Sequence, residues 1–233
     1  MISAALDTSS GAAFAIARDG LVLASEMRPM MGRRSDRNLV PWILEILRKH
    51  TLDVADVGEW TVGVGPGSFS GLRAGIALVK GICLHSGARC RGIPSSLALA
   101  QSVCVEVAPG DPVGVLHDAR RQQAILTVYV KREGQRLTVA GEPTVLDRAG
   151  LKTACVECAI LSTLHAEQIR SLLDPDLARR LRAQDGIDAS HLLHAPGWPW
   201  PNPENGEANA SCNPIYVRPG VFVKPAPLRE VRD

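Results

Sequence analysis

Gly65-Pro66-Gly67-Ser68-Phe69-Ser70-Gly71-Leu72-Arg73 is the stretch from which the fold can be read. A short apolar run, Trp60 to Val64, precedes it and a longer one, Ala74 to Leu84, follows, which is the order of a strand, a glycine-rich turn and a helix. The glycines permit positive φ or close backbone approach. Ser68 and Ser70 are candidate N-caps, and Arg73 falls in the first helical turn. The free N–H groups of such a helix start can hold an anion or abut a partner's backbone. Two nucleotide motifs fail here. A P-loop needs Lys and Ser or Thr after its last glycine, where this chain has Leu72-Arg73. The dinucleotide fingerprint needs glycine where Ser70 stands. On spacing alone a structural turn outweighs a ligand loop. The following helix, Ala74 to His85, is apolar almost all round, interrupted by Gly75, Lys80 and Gly81, so it is buried or lies in an interface. The reading adopted is a contact surface for another helix, with glycines admitting close approach.

The 233 residues suffice for one large domain or two with cores of their own. Hydrophobic residues at 45% and charged residues at 21% fit a soluble globular chain, and aromatics at only 4% leave the core to aliphatic packing. A net charge of +2 is too small for autonomous nucleic-acid binding, so any role on RNA runs through a partner. No apolar run is long enough to span a bilayer, and Asp7 interrupts any signal-peptide core. The six cysteines are scattered and read as buried thiols. A cytoplasmic protein without membrane contact is expected.

Along the chain, Ile2–Leu6, Ala12–Ala17 and Leu21–Glu26 read as an antiparallel meander, with Asp19-Gly20 as a hairpin turn. The polar loop Asp7-Thr8-Ser9-Ser10-Gly11 reads by itself as a turn whose short side chains bond their own backbone. Residues 39, 40, 43, 44, 46 and 47 carry the apolar stripe of a helix from Leu39 to His50, with Pro41 in its first turn. Cys90–Ile93 is a strand, and Pro94-Ser95-Ser96 caps a helix running from Leu97 to Val107. Ala108-Pro109-Gly110-Asp111-Pro112 is the strongest linker, which divides the chain into lobes 1–108 and 109–233, with the last residues packing back on the first lobe.

The second half opens with strand Val113–Leu116, the polar segment His117-Asp118-Ala119-Arg120-Arg121 and strand Ala124–Lys131. Asp118 and Arg120 form a polar loop at a cleft, since no nucleophile or metal cluster accompanies them. A strand Arg136–Ala140 repeats the opening of the first half in element order. Cys155-Val156-Glu157-Cys158 is half a zinc site with no second half, and reads as inert thiols beside a strand, Cys158–Leu161. Pro175–Ala183 is expected to be a charged helix and Ala189–Ala195 a shorter one. The Trp-Pro stretch from Pro196 to Pro203 is stiff and extended, its tryptophans pinning it to the surface. The histidines, at 50, 85, 117, 165, 191 and 194, include no pair four apart, and no metal site is assigned.

Taken whole, Gly65–Arg73 with Ala74-Gly75-Ile76 and Val79-Lys80-Gly81 resembles the GPGSFTGLR-IG…AKG signature of the TsaB (YeaZ-like) family, with Ser70 in place of the usual Thr. The resemblance extends to Pro94-Ser95-Ser96, the Asp-Ala-Arg segment at 118–120, and the ending Pro214-Ile215-Tyr216-Val217-Arg218. The family's Arg-His-Ser segment has Arg33-Arg34-Ser35 here, so Arg34 replaces the histidine. The resemblance implies an α/β, two-lobed actin/Hsp70-like (ASKHA) fold, each lobe a mixed sheet flanked by helices. In that superfamily Asp7, Thr8 and Ser9 would occupy the first phosphate loop. The resemblance also implies a non-catalytic subunit that binds and activates TsaD for threonylcarbamoyl transfer to the tRNA adenosine beside the anticodon. TsaE would join a ternary complex, TsaC would supply the activated donor, and tRNA would be met through the complex. The implied partner-binding residues are Gly65, Pro66, Gly67, Ser68, Phe69, Ser70, Gly71, Leu72, Arg73, Gly75, Ile76 and Val79, with Phe69 an anchor and Arg73 a polar clamp. A large residue at Gly75 or Gly81 should break the complex and spare the fold. A homodimer through the same surface is the arrangement when TsaD is absent. No cofactor is assigned, and ATP or ADP at the complex interface is left open. The alternative is an enzyme: a nucleotide-binding ATPase or hydrolase using Asp7, Thr8 and Ser9, or an M22-type metallopeptidase, against which the missing H-x-x-x-H pair of TsaD counts.

Overall fold

A computed structural model describes residues 1–29, 38–195, 198 and 212–217. Arg33-Arg34-Ser35, Arg218 and most of the Trp-Pro stretch lie outside the described residues. The chain opens with strands β1 (Ile2–Asp7), β2 (Ala12–Arg18) and β3 (Leu21–Arg28), paired antiparallel in sequence order. At the β2–β3 turn Asp19 and Gly20 have φ of 51° and 83°, the two left-handed residues that a tight hairpin requires. Helix α1 (Leu39–Lys49) buries Leu39, Ile43, Ile46 and Leu47, the stripe expected from their spacing. Strand β4 (Val57–Gly63), helix α2 (Phe69–Ser86) and strand β5 (Arg89–Ile93) follow, with β4 parallel to β1 and β5 parallel to β4. The first sheet thus runs β3-β2-β1-β4-β5.

After helix α3 (Ser95–Gln101) the pattern repeats. Strands β6 (Pro112–Asp118), β7 (Ala124–Lys131) and β8 (Leu137–Val139) form a second antiparallel meander, and β9 (Thr144–Leu146) pairs with the other end of β7. Helix α4 (Arg148–Ala154) leads to β10 (Ile160–Thr163). Helices α5 (Ala166–Arg170) and α6 (Pro175–Arg179) precede β11 (Leu181–Ala183), and α7 (Ser190–Leu193) comes last. Strand β10 is parallel to β6 and β11 is parallel to β10, so the second sheet runs β11-β10-β6-β7-β8. Each sheet is therefore a three-strand meander whose first strand carries two parallel strands on its other side. The result is two mixed sheets flanked by helices, and the pattern repeats at the level of topology without a visible sequence repeat.

Three apolar clusters hold these layers. On one face of the first sheet, Leu6, Phe14, Ile16, Trp60 and Val62 pack against α1 and α2. On its other face, Ala5, Ala13 and Ala15 meet α3, Val113, Val115 and Tyr129. Alternation along β1 and β2 thus sends large residues outward and alanines inward, where helix backbones come close. Beyond the second sheet, Leu116, Leu126 and Leu161 pack on residues of α4, α5 and α6. Cys155 and Cys158 belong to this third cluster and are buried free thiols at the end of α4. A buried arginine ties the C-terminal part to the first sheet: Arg91 on β5 donates from Nε to Thr61 Oγ1 (3.1 Å), from Nη1 to the Trp198 carbonyl (2.7 Å) and from Nη2 to the Leu193 carbonyl (3.0 Å). Burial, aided by Arg89, lowers its pKa to about 10.

Four local expectations are corrected. Helix α2 starts at Phe69, inside the motif, because Ser68 Oγ accepts from the Gly71 N–H (3.3 Å) and caps it there. Helix α3 stops at Gln101, and only a 3-10 turn, Cys104–Glu106, continues it. Ser95 and Ser96 do not cap that helix; their hydroxyls bond Asp7 and Tyr129 instead. The helix expected over Pro175–Ala183 ends at Arg179, because Leu181 is buried and pairs with Leu161 as a strand.

Candidate functional site

The glycine-rich motif is built against the loop that follows β1. Asp7 is buried; its Oδ1 accepts from the Ser9 N–H (2.8 Å) and Ser9 Oγ (2.6 Å), and its Oδ2 accepts from Ser95 Oγ. Ser95 Oγ in turn accepts from the Gly65 N–H (3.0 Å), so the carboxylate is linked through one hydroxyl to the first residue of the motif. Burial raises the Asp7 pKa, and the bonds from Ser9 and Ser95 oppose it. Thr8 Oγ1 donates to the Gly71 carbonyl (2.7 Å), and the Ser68 N–H donates to the Ser9 carbonyl (2.7 Å). This contact demands absent side chains: a Cβ on Gly71 would sit 2.1 Å from the Thr8 carbonyl oxygen, and one on Gly75 would sit 2.2 Å from Thr8 Oγ1. Asp7, Thr8 and Ser9, the residues that a phosphate loop would offer to a nucleotide, have their polar side-chain atoms committed to this internal joint.

A cleft of about 850 Å³ lies between the sheets. Thr8, Ser9, Ser10, Gly11, Pro66, Ser68 and Ser70 line one wall, and His117, Asp118, Arg120 and His165 the other. Asp118 ends β6 as Asp7 ends β1, each six residues before the start of its partner ladder at Ala124 and Ala13. The turn after Asp118 holds Arg120, Arg121 and Gln122 at φ of 62°, 53° and 57°, three left-handed non-glycine residues in succession. Asp118 Oδ1 accepts from the Arg120 N–H (2.8 Å), and the Arg120 guanidinium lies 3.4 Å from Oδ2. His117 is only 4% exposed, and neither ring nitrogen has a hydrogen-bond partner among the described residues. Its ring centroid is 6.4 Å from that of His165. Burial, with His165 nearby, lowers the His117 pKa to about 3; burial also lowers that of His165, against the pull of Asp118. Among the described residues no three His, Cys, Asp or Glu side chains converge as a metal-holding group.

The buried imidazole gives a pH signature. Its folded pKa of about 3 lies below the ordinary 6.5, so between those values the unfolded chain binds a proton that the folded chain does not. Its contribution is constant above pH 6.5 and is lost as pH falls toward 3, at up to about 1.4 kcal/mol per pH unit. Changing His117→Leu should flatten the fall in the urea midpoint between pH 6.5 and 4. Parallel acid profiles for variant and parent would contradict this assignment.

Helix α2 has two faces. Leu72, Gly75, Ile76, Val79 and Cys83 are buried within the chain's own core. Ser70, Arg73, Ala77, Gly81 and Leu84 point outward, and Leu84 is 89% exposed. A groove of about 720 Å³ runs beside them, lined by Asp53, Val54, Ala77, Gly81, Ile82 and His85. Gly81 has open space where a Cβ would lie. At the start of the helix Phe69 is 53% exposed, with the Arg73 guanidinium 3.9 Å above its ring. Arg73 Nε donates to Tyr216 Oη (3.0 Å), and the Phe69 and Tyr216 rings are 5.2 Å apart.

The residues assigned to a partner from sequence therefore divide. Ser68, Phe69, Ser70, Arg73 and Gly67 reach the surface, whereas Gly65, Pro66, Gly71, Leu72, Gly75, Ile76 and Val79 are buried. Gly75 is corrected from an interface notch to an internal one, since Thr8 fills the space beside it. Ser95, His117 and Tyr216 were not singled out as site residues. The Pro94-Ser95-Ser96 signal read as a cap. Nothing local marks Tyr216, 143 residues from Arg73.

A family model described as TsaD, tRNA N6-adenosine threonylcarbamoyltransferase, matches residues 29–155. The tRNA threonylcarbamoyladenosine biosynthesis protein TsaB of Escherichia coli K12 is 31% identical over 99 residues, 42% of each chain. The uncharacterized protein Rv3421c of Mycobacterium tuberculosis is 32% identical over 127 residues, 54% of this chain and 57% of that one. The chain thus spans about half the length of the curated relatives it matches. Two Pseudomonas aeruginosa structures share the fold. An uncharacterized protein with similarity to peptidase YEAZ superposes with a TM-score of 0.72 at 23% identity, covering 93% of this chain and 99% of that one. YeaZ superposes at 0.70, also at 23% identity, covering 92% and 99%.

Proposed function

We propose, for a chain that belongs to the TsaD family of tRNA N6-adenosine threonylcarbamoyltransferases and is TsaB/YeaZ-like within it, the role of an accessory subunit: it binds a TsaD-type transferase and favours the transferase's active form. The observation that carries the reading is the division of α2. Its glycine-lined inner face is locked onto the Asp7–Ser9 loop, which fixes the helix rigidly. Its outer face keeps Ala77, Gly81 and Leu84 open beside an apolar groove. A helix fixed in this way, with a small-residue notch that no described residue covers, suits close packing by a partner helix, with burial of Leu84 as the apolar gain. Phe69, Arg73 and Tyr216 would form the rim, a ring–cation cluster of the kind enriched at protein contacts. Activation then follows by linkage: a subunit that binds the active transferase more tightly than the inactive one shifts the population toward it.

In this reading TsaE joins as a third member, tRNA is met through the complex, and a second copy of this chain uses the same face when the transferase is missing. The chain's modest charge of +2 agrees with contact to RNA through a partner. An ATPase is the competing reading; Thr8 and Ser9 line the cleft, but the side-chain hydrogen bonds of Asp7, Thr8 and Ser9 are spent on the joint with the motif, which counts against it. A peptidase finds no support in six histidines without a pair four apart. Among the described residues no helix is long and apolar enough to cross a membrane.

Sedimentation velocity of the purified chain mixed with a TsaD-type transferase tests the reading. A faster-sedimenting heterocomplex at micromolar concentration is the expected result. Two independent boundaries at all ratios, with neither protein perturbed, would overturn it.

A further inference from the structure

Beneath α2 the described C-terminal segment, residues 212–217, is laid against the first sheet. The Ile215 N–H donates to the Val64 carbonyl (2.7 Å), and Ile215 packs in the same cluster as Trp60 and Val79. At the head of the segment Cys212 Sγ lies 3.0 Å from Sγ of Cys90, on the edge strand β5. Both are buried thiols in no disulfide, and Cys83 on α2 lies in the same cluster. A disulfide needs its sulfurs about 2.05 Å apart, so closure here asks for an approach of roughly 1 Å. Such an arrangement is more than an apolar packing of thiols: the two sulfurs face each other, and the segment they would fasten carries Tyr216 to the Phe69–Arg73 cluster.

We propose that Cys90 and Cys212 form a reversible disulfide that fastens the 212–217 segment to β5 and so fixes Tyr216 on the motif surface. The oxidant class is a peroxide. One thiol attacks hydrogen peroxide, forming a sulfenic acid and releasing water. The second thiol, as thiolate, attacks the sulfenic sulfur, the S–O bond breaks, and a second water leaves with the proton. Two thiols lose two protons and two electrons, and one peroxide becomes two waters. A dithiol reductant reverses the bond by thiol–disulfide exchange. Peroxide gains access when the segment lifts from the sheet edge, a local opening rather than global unfolding. The disulfide itself is independent of partner binding; only its effect on a partner rests on the accessory-subunit reading.

The test uses the full chain alone, reduced and then treated with hydrogen peroxide. Non-reducing peptide mapping should recover a Cys90–Cys212 linked pair, two hydrogens lighter than the separate peptides, with two free thiols fewer and full recovery under dithiothreitol. Cys90→Ala and Cys212→Ser should each abolish the linkage, and Cys83→Ala should retain it. Hydrogen exchange at the Ile215 amide should slow by about tenfold or more on oxidation. Linkage through Cys83, linkage at Cys155–Cys158 alone, or over-oxidised thiols without a bridge would overturn the proposal. A Cys90–Cys212 bridge that leaves Ile215 exchange unchanged would overturn the fastening role. Partner association, measured separately by sedimentation in both redox states, reports on the accessory reading without bearing on whether the bridge forms.

Discussion

Gly81→Trp is expected to weaken association with a TsaD-type transferase at least about 30-fold, equivalent to about 2 kcal/mol, while leaving the fold intact. Gly81 lies on the outward face of α2, with no described atom within 4 Å of the position of a Cβ, so a larger side chain starts into open space and extends into the groove. Replacing glycine by tryptophan inside a helix also removes part of the glycine penalty, roughly 0.5 kcal/mol, so the thermal midpoint should hold or rise. A partner helix seated in the groove has no such space to yield. Leu84→Glu should act in the same direction by placing a charge where an 89%-exposed leucine is proposed to be buried. Val139→Glu, an exposed position on the second sheet, is the control that should leave binding unchanged. Titration calorimetry against the transferase reads all three. Wild-type affinity for Gly81→Trp and Leu84→Glu together would remove α2 as the contact.

Gly71→Val should act in the opposite way, destabilising the fold by about 3 kcal/mol or more. The added Cβ would lie 2.1 Å from a backbone carbonyl, that of Thr8, and backbone cannot rotate aside as a side chain can. Separating the two surfaces also strains the bonds from Thr8 Oγ1 to Gly71 and from Ser68 to Ser9. Urea unfolding at neutral pH measures the loss, and Gly81→Ala serves as the paired comparison, expected to be neutral or stabilising by up to about 1 kcal/mol. A loss below about 1 kcal/mol for Gly71→Val would mean that the joint relaxes freely and does not fix the helix. Two glycines ten positions apart in one helix thus separate the structural role of the motif from its proposed contact role.

Periodicity and turn chemistry made much of the architecture readable. The opening meander, the α1 stripe, and the strands around Trp60, Cys90 and Tyr129 all carry local signals, and local signals suffice for them. Leu181–Ala183 did not, because three residues hold no period and the strand exists only through pairing with β10. Helix α4 and strand β9 were likewise unread, in the region where both turn signals and family resemblance are weakest. At the site, the motif announced a special backbone but not which way it faced. Gly75 and Gly81 look alike in sequence, yet one abuts Thr8 and the other opens outward, a distinction set by tertiary approach alone. Ser95 and Tyr216 enter through contacts spanning 88 and 143 residues, and no local pattern encodes those. His117 stood in a polar segment and read as part of a loop. Its place at the end of β6, facing inward with no partner for its nitrogens among the described residues, follows from the alternation of a strand that runs one residue past it.

The central claim is tested most directly by reconstituting threonylcarbamoyl transfer to tRNA from TsaC, TsaD and TsaE, with and without this chain, beside an ATPase assay of the chain alone. The accessory-subunit account predicts transfer that depends on adding the chain, loss of that dependence with Gly81→Trp, and no ATP turnover by the chain itself. Full transfer without it, or metal-dependent ATP hydrolysis by the isolated chain, would contradict the account.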